Sequence, residues 1–130
     1  MRRIVLIGVA LATLSSGAWA TGNAPEPRTL KGGFVWSQSS KGGDLEAVFT
    51  PTGEAAWDVA FHFEFRGKHV YSGTAEGSLT AGELSGKVFN EEKNRAFTFR
   101  GRFENGTFRG THAEIEDGQE EPTGTLTLGE

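Results

Sequence analysis

The sequence predicts an all-β protein, an antiparallel up-and-down meander of about eight strands that closes, or nearly closes, into a small β-barrel. Three observations predict it. First, Gly77-Ser-Leu79-Thr-Ala-Gly82-Glu-Leu84-Ser-Gly86 and Gly101-Arg-Phe103-Glu-Asn-Gly106-Thr-Phe108-Arg-Gly110 share the pattern G-x-[LF]-x-x-G-x-[LF]-x-G, 24 residues apart. Such a near-palindrome reads as a β-hairpin around its central x-Gly, and Asn105-Gly106 is the strongest two-residue hairpin signal. Second, apolar and polar residues alternate, and no segment of the mature chain shows a convincing helical period. Third, large inward side chains tend to lie beside Gly or Ala on the next strand, so rings can cover bare backbone and the sheet can coil. A coiled sheet with one apolar face removes both its edges by closing into a barrel. A two-sheet sandwich is the alternative.

The N-terminus reads as a targeting segment. Arg2-Arg3 precede an apolar run from Ile4 to Leu14, too short to span a bilayer comfortably, and Ala18-Trp19-Ala20 forms an A-x-A cleavage site. Residues 1–20 are therefore expected to be removed, residues 21–32 to form a flexible leader, and residues 33–130 to form a single β-barrel domain. The expected destination is the periplasm or the extracellular medium. Without Arg2 and Arg3, 11 basic residues stand against 17 acidic ones, a formal charge of −6. That balance argues against nucleic acid and anionic membranes as partners. The chain has no cysteine, so its core must supply what disulfides often supply in exported chains of this size, and its ten Phe serve that need.

Taken in order, the strands are expected near Phe34–Gln38, Leu45–Thr50, Ala55–Arg66, Val70–Leu79, Glu83–Phe89, Ala96–Glu104, Thr107–Glu116 and Thr123–Leu128. In the third, Trp57, Val59, Phe61, Phe63 and Phe65 face one way and Asp58, His62, Glu64 and Arg66 the other. A three-residue turn with Gly53 left-handed sets Trp57 opposite Ala47 and Val59 opposite Leu45. A three-residue loop at Gly67-Lys68-His69 sets Phe65 opposite Tyr71 and Phe61 opposite Ala75. A two-residue Gly67-Lys68 loop would turn Tyr71 to solvent and is rejected. Next come Ala75 with Val88, Leu79 with Leu84, Gly77 with Gly86, Leu84 with Gly101, Gly86 with Phe99, and Phe103 with Phe108. Glu114 to Pro122 reads as an acidic loop, and the last strand should close the barrel against Phe34-Val-Trp36. The outer face, with Ser72, Thr74, Glu76, Lys87 and Arg100, is polar, the reverse of a lipid-facing barrel.

Candidate chemistry is sparse. The absence of cysteine excludes thiolate catalysis and thiolate metal sites, and G-x-S-x-G, phosphate-loop and H-E-x-x-H motifs are lacking. His112 and Glu114 point inward two residues apart and could form a general base with its orienting partner; a hydrogen-bonded histidine at the barrel mouth is the plainer reading. His62 and Glu64 face outward, where two ligands fall short of a metal site. Arg100, Arg102 and Arg109 cluster outside, with Glu83 across from Arg102 and Glu76 across from Lys87. No cofactor is expected.

Inside, Gly77, Gly86, Gly101 and Gly110 outline an indented patch bordered by Trp57, Phe99 and His112. An eight-stranded barrel holds packed side chains or one small ligand. The first expectation is a binding protein for a small apolar or aromatic molecule, with Trp57, Gly77, Gly86, Phe99, Gly110 and His112 as ligand contacts, or for a protein partner. The second is a structural or interaction protein with a filled core, acting through its outer face and loops. The third is a small cyclase- or isomerase-type enzyme. Gly33-Phe-Val-Trp36 is a weak match to the G-x-W that opens a lipocalin, and the layout resembles calycin-type barrels such as lipocalins and avidins, and dirigent-like barrels. The likeness is one of layout and carries no site residue over.

Overall fold

The computed structural model describes residues 26–130. The targeting segment and the first part of the leader lie outside the described residues. Eight strands follow one another: β1 (Arg28–Trp36), β2 (Gly42–Gly53), β3 (Ala56–Glu64), β4 (Lys68–Gly77), β5 (Gly82–Asn90), β6 (Arg95–Glu104), β7 (Thr107–Glu116) and β8 (Gln119–Gly129). Each pairs antiparallel with the next, and β8 returns to β1, with Phe34 opposite Leu126 and Trp36 opposite Gly124. The barrel is closed. The end that carries Trp36 is here called upper, and the end that carries Arg28 lower.

β1 begins inside the stretch assigned to the leader. Of its first five residues only Leu30 is apolar and buried, and Gly32 stands where a second apolar side chain would have continued the alternation. One residue cannot establish a period. The pairing partner makes up for it, because a Cβ on Gly32 would lie 1.9 Å from the Thr127 carbonyl oxygen, so the backbones meet where the side chain is missing.

Faces are as expected, but three registers differ. Ala47 lies opposite Phe61 and not Trp57; Phe61 lies opposite Tyr71 and not Ala75; Ala75 lies opposite Gly86 and not Val88. The turns account for this. Ala55 takes a left-handed conformation (φ 55°) after a bulge between Pro51 and Gly53, so the β2–β3 turn sits later than a turn built on Gly53. Arg66 (φ 57°) and Gly67 (φ 115°) make the next turn, which leaves His69 inside β4. Between β4 and β5, Ser78 Oγ accepts hydrogen bonds from the amides of Thr80 and Ala81 at 3.0 and 3.1 Å. That loop replaces a two-residue turn, so Gly77 meets Leu84 and neither Leu79 with Leu84 nor Gly77 with Gly86 is paired. The remaining hairpins match: Leu84 with Gly101, Gly86 with Phe99, Phe103 with Phe108. The acidic stretch is a hairpin tip, not a loop, since Asp117 (φ 51°) and Gly118 (φ 78°) supply the two positive-φ residues of a tight turn.

Candidate functional site

The two halves of the barrel interior differ. Phe49, Leu84, Phe108 and Leu128 fill the lower half, and Leu79, on the loop below β4, is buried beneath them. The glycine indentations are occupied by rings. A Cβ on Gly86 would lie 2.7 Å from the Phe99 ring, and one on Gly110 would lie 2.8 Å from the Phe108 ring. Gly101 and Gly110 face each other so closely that a Cβ on Gly101 would stand 2.5 Å from the Gly110 Cα. Trp57, at the lower end, donates its Nε1–H to the Gly77 carbonyl at 3.0 Å and packs edge-on to Phe49.

The upper half is hollow. Phe34, Trp36, Phe61, Phe63 and Phe97, joined by Tyr71 and His112, wall a cavity of about 50 Å³ whose surface is wholly apolar. The hollow is half open; with its mouth included, the space between atoms is about 410 Å³. Its rings meet mainly edge-on: Phe34 to Phe63 at 5.1 Å, Trp36 to His112 at 5.2 Å, and Tyr71 to Phe97 at 5.6 Å between centroids. Edge-to-face contacts of this kind hold the walls at defined angles. Trp36 and Phe65 stand half-buried at the rim, 5.7 Å apart.

His112 is buried and fully engaged. Its Nε2 lies 3.2 Å from the Val35 carbonyl, which only accepts, so Nε2 carries the proton. Nδ1 lies 2.7 Å from Thr123 Oγ1, whose hydroxyl also reaches the His112 carbonyl at 3.1 Å. Burial pushes its pKa below the ordinary 6.5, an effect only partly offset by the carbonyls of Val35 and Thr125. The imidazole is therefore neutral near pH 7, and it ties β7, β8 and β1 together across the closing seam.

Glu114 stays on the same face as His112, opposite Phe97, and accepts two hydrogen bonds from Arg95, at 2.7 Å from Nε and 3.0 Å from Nη2. The Arg95 guanidinium lies over Phe97, 5.0 Å from its centroid, and its hydrogen bond to Glu114 raises its pKa. Burial raises that of Tyr71. The imidazole and the carboxylate thus answer to different partners.

Of the residues expected at a ligand, His112 lines this cavity. Phe99, Gly86 and Gly110 sit in the packed middle, and Trp57 and Gly77 sit at the lower end. Sequence reasoning missed Trp36, Phe63, Phe97 and Tyr71 as cavity residues. Their inward parity was readable, but their gathering at one end depends on register. Outside, Arg102 pairs with Glu83 at 3.3 Å and Arg100 with Glu120 at 3.1 Å, while Lys87 lies opposite Thr74 and not Glu76. His62 lies across from Glu46, and among the described residues no cluster of three His, Cys, Asp or Glu could hold a metal. His69 donates its Nε2–H to the Phe65 carbonyl, 2.8 Å away, and so braces the rim.

No protein-family model matches the chain, and the curated proteins contain no significant match to it.

Proposed function

We propose that this is an exported β-barrel binding protein whose upper cavity holds a small apolar or aromatic molecule. The observation that supports it is the half-open, aromatic-walled hollow in a barrel whose other half is solid. Binding sites are typically concave and mostly apolar, and this hollow is both. The enclosed 50 Å³ admits only part of a ligand, so the molecule rests with one end in the barrel and the other in the mouth.

The test is native against denaturing mass spectrometry of the protein purified from its own source without refolding, joined by NMR titration with toluene. A native mass above the chain mass by an increment lost on denaturation is expected, with shifts at Tyr71 and Phe97 during the titration. A bare chain mass together with unmoved signals at saturating toluene would sink the reading. N-terminal sequencing of the same material tests export, with Thr21 as the expected first residue.

A second reading is a filled-core protein acting through its outer face. The rings seated in the indentations of Gly86 and Gly110 favour it, because there the glycines serve packing.

A further inference from the structure

The two indoles of the barrel are treated differently. Trp57 Nε1 donates to a carbonyl, whereas Trp36 Nε1 is the one buried side-chain polar atom without a hydrogen-bond partner among the described residues. A buried indole N–H normally finds an acceptor, and one left without bears the full desolvation of the group. Trp36 also lines the cavity, and its side chain is only half buried, between Phe34, Phe65 and His112. The unmet donor belongs to a ring of the cavity wall, with the N–H itself covered.

Resting on the ligand reading above, we propose that the cavity selects a neutral molecule with a small apolar body and one hydrogen-bond acceptor, a carbonyl or ether oxygen. Trp36 Nε1–H is the donor that holds it. The indole turns at the rim as the molecule enters, bringing the covered N–H to the acceptor. Neutrality follows from the surroundings. Arg95 and Glu114 are spent on each other, so neither answers a charged ligand. Besides Tyr71 and His112 the cavity wall is apolar, and a charge placed there would lose its hydration for nothing. His112 offers no competing donor, because both ring nitrogens are engaged.

The experiment compares acetophenone with α-methylstyrene, which replaces C=O by C=CH2 at nearly the same shape, on the full processed chain. Dissociation constants and the two indole N–H resonances of the barrel are followed by NMR. The ketone is expected to bind about ten-fold more tightly, the worth of one added hydrogen bond. The Trp36 indole proton should shift while that of Trp57 stays. In Trp36→Phe the two ligands should bind within about two-fold of each other. Equal binding of both by the native chain, with the Trp36 proton unmoved, overturns this proposal and leaves the ligand reading standing. Binding of neither compound overturns both. The comparison within the native chain decides the matter even if the variant does not fold.

Discussion

Gly124 gives up its side-chain space to His112. A Cβ at Gly124 would lie 2.7 Å from His112 Nε2 and 1.9 Å from the Val35 carbonyl oxygen, the two atoms that hydrogen-bond across the seam. The glycine and the histidine together let β8 close against β1. Gly124→Ala should therefore destabilise the fold by about 2–4 kcal/mol, since the obstruction includes backbone and not merely a flexible tip. Urea unfolding measures it. A loss below about 0.5 kcal/mol would mean the seam opens freely to accommodate a methyl.

The same histidine predicts a pH dependence. Its folded pKa is depressed below 6.5, so the native state binds fewer protons than the unfolded chain as pH falls. The stability it contributes is full above pH 6.5 and declines as pH drops through that value toward the lower folded pKa. Urea midpoints between about pH 7.5 and 5.5 should fall in the native protein, and His112→Gln should flatten that part of the profile. An unchanged slope in the variant would show that His112 is not its source.

Phe99 and Gly86 form a ring-on-backbone pair. Gly86→Ala should cost about 1–3 kcal/mol, because the Phe99 ring stands 2.7 Å from the new Cβ and the Thr74 carbonyl oxygen 2.5 Å from it. Adding Phe99→Leu should recover part of that loss, since it relieves the ring contact and not the backbone one. A double-mutant cycle in urea gives the coupling, and strict additivity would show that the ring does not depend on the glycine.

β8 pairs with both β7 and β1, so its removal opens two ladders at once. Deletion of residues 123–130 should leave a chain that is insoluble or that melts without a cooperative transition by near-UV circular dichroism. A truncation that unfolds cooperatively would show that closure is dispensable.

The sequence made the faces legible and left the registers partly hidden, for a reason that Phe61 makes plain. Alternation with period two places Phe61 inward whether it meets Ala75, as expected, or Tyr71, as observed, because an even slip keeps every side chain on its face. Register is set by turns, and the turns at Ala55 and Arg66 put non-glycine residues in the left-handed region, with Gly53 close to the first as a decoy. Where the turn chemistry was unambiguous, at Asn105-Gly106, pairing was read to the residue, and His112 was placed opposite Phe99. The cavity suffered most. Trp57 and Trp36 share an inward parity, but they stand at opposite ends of the barrel, and only the actual registers separate the packed end from the hollow one.

Leu79 lies buried under the lower half of the core while the rim at Trp36 and Phe65 stays half exposed. The molecule is consequently a cup and not a pipe. Nothing can be threaded through it, and a guest that enters must back out past the same two rings. On the binding reading proposed above, loading and release would share one bottleneck, so a change at the rim would scale the rates of arrival and departure by one factor without touching how firmly the floor is built.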